Sequence, residues 1–353
     1  MVSQESPIAR FILVTAAFIV VVAGMKSAEA LLVPFLLSLF IVVIFSPPLS
    51  WLKNRGVPSG LALALVVSLV VAFGLVFGAI VGASIAEFRG DLPQYQERLQ
   101  GVSQQGKAYL DKLGIALPQE QWQETFDPGV AFSFVGNMLA SLGNVMTNAF
   151  LILLMVIFML AEEVRFSDKM MYAKQGKAQN SLKALEKFTS SINQYMALKA
   201  GLSLLTGVLV LLWLLFLGVD YPVLWAMLAF MLNFVPNLGS ILAAIPAVLL
   251  ALVQLGPFDA IWVAVGYVVV NTVVGNVLEP RIMGRGLDLS TLVVFVSLVF
   301  WGWVLGPVGM LLSVPLTMTV KIALENFKDT EWIAVMLGSG KGLEVTTQEK
   351  AQE

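Results

Sequence analysis

The chain has 353 residues, of which 58% are hydrophobic and only 12% charged, and its mean hydropathy of +0.86 lies far outside the range of water-soluble domains. Formal net charge is −2, from 21 basic and 23 acidic residues, so bulk charge suggests neither nucleic acid nor an acidic substrate as partner. With no cysteine and no histidine, disulfides, thiol nucleophiles, Ser-His-Asp triads and metal sites held by those residues are all excluded; no enzyme activity, metal or cofactor is expected.

A helix needs about 20 apolar residues to cross the hydrocarbon core. Runs free of Asp, Glu, Lys and Arg cover most of the chain, beginning with 11–25, 30–52 and 56–86. Arg10 ahead of the first run and Ala28-Glu29-Ala30 after it also fit a secretory signal peptide with its cleavage site. A second apolar run follows at once, which favours a retained first helix in a hairpin. Each run is read as helical, because a lipid-exposed backbone must satisfy its own hydrogen bonds.

Residues 87–127 carry four basic and seven acidic side chains. Leu92, Tyr95, Leu99 and Val102 recur there at helical spacing, which predicts a short amphipathic helix. The fourth apolar run, 128–161, leads into 162–199, with seven basic and four acidic residues. Counting only Lys and Arg, 162–199 is cytoplasmic, as are Lys53, Arg55 and the N-terminus, and 87–127 lies outside. Leu185, Phe188, Ile192 and Tyr195 share a helix face flanked by lysines, which suits a helix lying on anionic lipid.

Four more runs follow, 200–219, 221–258, 260–278 and 289–320. The second holds 38 residues and the last 32, too many for one comfortable span. Each is interrupted, by Phe234-Val235-Pro236-Asn237-Leu238-Gly239-Ser240 and by Trp303-Val304-Leu305-Gly306-Pro307-Val308-Gly309. Proline removes an amide donor and clashes with the preceding turn, and glycine permits a tight reversal, so each run reads as two half-helices joined at a tip. The spacings are related, since Pro246 follows Gly239 and Pro315 follows Gly309 at nearly the same distance. The single span 260–278 between two such hairpins makes them enter from opposite faces, which is inverted-repeat logic with broken helices meeting near the midplane.

The half-helix ends offer unpaired amides and carbonyls that bind a polar solute without burying formal charge, here beside Asn233 and Asn237. Thr272, Asn276 and Glu279 follow i, i+4, i+7 spacing and lie along one helix face, leading into Glu279-Pro280-Arg281. The candidates for binding or coupling are therefore Asn233, Pro236, Asn237, Gly239, Thr272, Asn276, Glu279, Arg281, Gly306, Pro307 and Gly309. Asn and Thr also serve as interhelical glue, and isolated Pro or Gly merely kinks a helix. No Gly-rich loop precedes a Lys-Ser/Thr pair, so ATP-driven transport by this chain alone is not expected.

The reading is an all-α polytopic membrane protein with about eight hydrophobic segments, two of them broken, re-entrant hairpins of opposite orientation. Its regions are transmembrane helices over 1–86, an extracytoplasmic helical segment over 87–143, a transmembrane helix over 144–162 and a basic cytoplasmic segment over 163–199. A transport core over 200–325 and a polar cytoplasmic tail over 326–353 complete it.

The segments Phe234 to Ser240, Leu278-Glu279-Pro280-Arg281-Ile282-Met283-Gly284 and Trp301-Gly302-Trp303-Val304-Leu305-Gly306-Pro307-Val308-Gly309, with Leu92-Pro93-Gln94-Tyr95 outside, closely resemble the hallmark regions of the autoinducer-2 exporter family. The resemblance covers nearly the whole chain. It implies a multi-pass secondary transporter of the bacterial inner membrane that exports the quorum-sensing signal autoinducer-2 as a homo-oligomer, a pentamer. Some family members resemble sodium or lithium/proton antiporters, so the family name leaves the substrate open. Autoinducer-2 is a small polyhydroxylated furanose, suited to backbone dipoles, Asn, Thr and one carboxylate, whereas a cation antiporter wants carboxylates deep in the bundle. A non-transporting membrane scaffold is the third alternative, and it needs neither hairpin tip.

Overall fold

A computed structural model describes residues 7–114, 118, 128–173, 179–235, 238–283, 289–325 and 330–338. Among the described residues the secondary structure is entirely helical. Helices α1 (Pro7–Ser27), α2 (Glu29–Asn54) and α3 (Ser59–Lys112) are followed by α4 (Pro128–Thr147), α5 (Ala149–Ala173) and α6 (Gln179–Leu217). Then come α7 (Pro222–Leu232), α8 (Gly239–Gln254), α9 (Pro257–Asn271), a π-helix (Thr272–Leu278), α10 (Glu279–Met283), α11 (Thr291–Glu325) and α12 (Glu331–Leu337).

Five helices among the described residues are long and apolar enough to cross a membrane: Glu29–Asn54, Ser59–Lys112, Ile192–Leu217, Pro257–Ile282 and Thr291–Glu325. Ile12–Ser27, Pro222–Leu232 and Gly239–Gln254 are shorter apolar helices. Helix α3 is 54 residues long, which at 1.5 Å per residue is about 80 Å, far more than the roughly 30 Å hydrocarbon core. The amphipathic segment around Leu92 and Tyr95 is therefore no separate helix. It continues the third span through Pro93, at the cost of one backbone bond. What keeps it helical is burial, because Tyr95 is part of the core and Leu92 and Leu99 pack against it.

The chain divides into two compact units, each with its own packing. One comprises Ile44–Phe150 and Asn193–Gly286. Its core is built around Trp225, Phe88, Leu224, Leu250 and Val263. Phe88 meets Trp225 and Tyr221 edge-on, with ring centroids 5.5 and 5.7 Å apart. Gly266 of α9 lets the Trp213 indole of α6 lie against the backbone, since a Cβ there would stand 1.9 Å from Nε1. The indole N–H donates to Trp262 O at 3.1 Å.

In this unit α7 and α8 form a hairpin. Helix α7 has 11 residues, about 16 Å, roughly half a bilayer crossing. Pro222 starts it and Asn233 ends it. Gly239 opens the return helix so close to the first that a Cβ would lie 1.7 Å from Leu232 O. At the base, Gln254 accepts from Asp220 N at 2.8 Å and donates to Gly218 O at 3.0 Å. Tyr221 holds a left-handed backbone there, with φ 55°, costly for a bulky residue. Its hydroxyl donates to Asp91, Trp225 Nε1 donates to Asp220 O at 2.9 Å, and Tyr95 OH donates to Asp220 Oδ2 at 2.8 Å. Tyr95→Phe is expected to lose about 1–3 kcal/mol, because the Asp220 carboxylate forfeits a hydrogen bond. A lower thermal midpoint in detergent, with α-helical content intact, checks this.

The other unit comprises Met1–Val43, Leu151–Ile192 and Leu287–Glu353. Its 35-residue α11 is no straight rod, because Gly306 (φ 64°, ψ −154°) breaks it. Trp301 Nε1 donates to Thr317 Oγ1 at 3.0 Å, sixteen residues on; a continuous helix would hold them about 24 Å apart. A Cβ at Gly309 would stand 1.9 Å from Trp301 O, so the two halves turn back on each other as closely as α7 and α8 do. Trp301, Val304 and Leu305 pack with Val22 of α1, and the Phe18 and Phe300 rings stack at 6.2 Å.

Candidate functional site

The first arm of the hairpin, α7, ends at Asn233, which is buried and whose side-chain amide donates to Ser203 Oγ of α6 at 3.0 Å. One turn earlier on α6, Lys199 is 3% exposed, and its Nζ lies 2.8 Å from both oxygens of Glu279. One turn earlier again, Tyr195 is buried. Tyr195, Lys199 and Ser203 thus form a polar seam at i, i+4, i+8 on an apolar helix, meeting the end of α7 at one point and Glu279 at another.

Glu279 reaches Lys199 because of what precedes it. Thr272–Leu278 is wound as a π-helix, whose wider turn departs from the α-helical register. Thr272 and Asn276 consequently sit exposed on this chain, whereas Glu279 is partly buried and paired. The α-helical stripe expected of these three residues is split between two directions. Arg281 is exposed in α10.

The ammonium and the carboxylate neutralise each other. Either alone would be expensive at membrane depth, where ionisable groups pair or mark a pathway. The seam therefore gathers hydroxyl, amide, carboxylate and ammonium groups with no net charge.

Gly239 is buried at the α7–α8 tip, while Pro236 and Asn237 lie outside the described residues. In the unit holding α11, Gly306 makes the break, Pro307 is exposed and Gly309 is buried against Trp301. Lys199 and Ser203 were not among the sequence candidates, since Lys199 reads as the last member of a basic cytoplasmic stretch. The signal was available, because Tyr195, Lys199 and Ser203 keep the same spacing used to link Thr272 with Asn276. Tyr195 itself turns into the core and not toward a lipid surface, and the side chains of Leu185 and Phe188 lie outside those described.

A second polar feature lies at the base of the α7–α8 hairpin. A cavity of about 400 Å³ is lined by Ser84, Glu87, Asp91, Asp220, Tyr221, Pro222 and Val223. Its tyrosine and two of its carboxylates belong to the hydrogen-bond set that holds the strained Tyr221 backbone.

A family model described as AI-2E family transporter matches residues 11–329. The AI-2 transport protein TqsA of Escherichia coli (strain K12) is 40% identical over 328 residues, covering 93% of this chain and 95% of its own. A putative transport protein of Haemophilus influenzae is 44% identical, covering 93% and 96%, and the putative transport protein YhhT of Escherichia coli (strain K12) is 37% identical, covering 92% and 93%. With these relatives and its long apolar helices, the chain is a multi-pass membrane transporter belonging to the AI-2E family.

Proposed function

We propose that this chain exports autoinducer-2, or a small neutral polyol of that class, across the bacterial inner membrane as a secondary transporter. The observation that carries the reading is the uncharged sum of the α6 seam, in which Asn233 meets Ser203 and Lys199 meets Glu279. Uncovered by movement of the core, such a seam exchanges hydrogen bonds with sugar hydroxyls and has no surplus charge to hold a cation. The 40% identity to a protein named for AI-2 transport supports the same substrate class. The two hairpins act as re-entrant elements of opposite orientation, and transport proceeds by movement of a hairpin-containing core against a scaffold built from early spans. Assembly is as a homo-oligomer, a pentamer by family resemblance, with membrane lipids around it.

Uptake of labelled autoinducer-2 into inside-out membrane vesicles tests this, because export from the cell becomes uptake there. Accumulation above vesicles lacking the protein is expected. Equal accumulation in both would sink the exporter reading and leave sodium or lithium/proton exchange as the next activity to assay.

A further inference from the structure

The second hairpin has a backbone acceptor that the regular bonding of its own helix leaves open. In an α-helix the carbonyl of residue i accepts from the amide of residue i+4. Trp303 faces Pro307, which has no amide hydrogen. The Trp303 carbonyl is thus left at the C-terminal, negative end of the first half-helix, in a chain surrounded by lipid. Lys26, from the last turn of α1, donates its Nζ to that oxygen. The same ammonium stands 4.7 Å from the centroid of the Trp303 ring, over its face. Three residues on, Glu29 Oε1 lies against Gly306, only 3.2 Å from where a Cβ would be.

We propose that Lys26 is a positioning residue of the transport cycle, which seats the second hairpin tip by capping the Trp303 carbonyl and must release it for solute to pass. The inference rests on the reading of the hairpins as transport elements. Three features of one ammonium fit a releasable latch better than permanent packing: it is exposed, it is held among the described residues by a single backbone oxygen, and its ring contact is on the same residue. By the lysine and arginine distribution, Lys26 stands at the extracytoplasmic end of α1, so a tip seated on it is closed toward the outside. Arginine keeps the charge and the donors, glutamine keeps a shorter neutral donor, and methionine keeps only the length.

The chain has no cysteine, so a single Val308→Cys reports on the tip, where Val308 is 7% exposed. Its labelling by a membrane-impermeant thiol reagent in right-side-out vesicles is expected to accelerate about tenfold in Lys26→Met, the factor for one lost charge-assisted bond. Lys26→Gln should be intermediate and Lys26→Arg close to the parent. In uptake assays Lys26→Met should lower the maximal rate with little change in the half-saturating autoinducer-2 concentration. Equal labelling in Lys26→Met and the parent would overturn the proposal, as would an arginine variant as defective as methionine. If Lys26→Met does not accumulate in the membrane, the glutamine and arginine variants decide by the same ranking. Failure of the parent to transport autoinducer-2 would count against the export reading alone, since thiol labelling needs no solute.

Discussion

Gly309→Leu is expected to abolish autoinducer-2 uptake into inside-out vesicles, and Gly239→Leu to do the same from the other hairpin. Neither effect depends on the size of leucine alone. The first added carbon already falls 1.9 Å from Trp301 O at position 309 and 1.7 Å from Leu232 O at position 239. Both obstacles are backbone carbonyls, which cannot swing aside as the end of a flexible side chain can. Each hairpin must open at its tip, displacing the half-helix ends by on the order of 1 Å, a shift that costs about 100-fold where groups must be positioned. Gly309→Ala and Gly239→Ala should therefore be severely impaired as well. Monodisperse elution in detergent and retained helicity would separate this from gross unfolding. A folded Gly309→Leu protein that transports at the parental rate would remove the tips from the solute path.

The second large effect concerns the buried ion pair. Glu279→Gln leaves the Lys199 ammonium, 3% exposed, without its counter-charge. Breaking one side of such a pair costs about 3–5 kcal/mol, whereas replacing both partners by uncharged groups is often neutral. Glu279→Gln should thus lower the thermal midpoint sharply, and Lys199→Met with Glu279→Gln should restore it. Uptake is the decisive comparison. A double variant that regains stability and still fails to transport places the pair in the solute path or its coupling. If both properties return together, the pair is interhelical glue, and Asn233 with Ser203 become the groups to test first.

The two chain breaks could be read from the residues themselves. Pro236, Gly239, Gly306, Pro307 and Gly309 mark both breaks, because proline and glycine act on the backbone locally, whatever surrounds them. The extent of α3 was not legible in the same way. Pro93 and the charges after residue 86 suggest an interruption, and only the packing of Tyr95, Leu92 and Leu99 on the core beyond keeps one helix intact.

The candidate site shows the same division. Glu279 was visible as an ionisable residue beside an apolar run, and intramembrane carboxylates are scarce enough to stand out. Its partner was not, because Lys199 is 80 positions away and looks like part of a solvated basic segment. The expected stripe of Thr272, Asn276 and Glu279 assumed 3.6 residues per turn, and the π-helix over Thr272–Leu278 breaks that assumption.

By itself, then, the amino-acid sequence determined that this is a helical membrane protein and where two of its apolar runs must break. These follow from hydropathy, charge count and the missing amide of proline, all properties of neighbouring residues along the chain. Tertiary structure alone decided which polar groups meet: Asn233 with Ser203, Lys199 with Glu279, Lys26 with the Trp303 carbonyl. In a medium without water each such group must find a partner inside the protein, and the partner comes from whichever helix packing brings alongside, however distant in sequence.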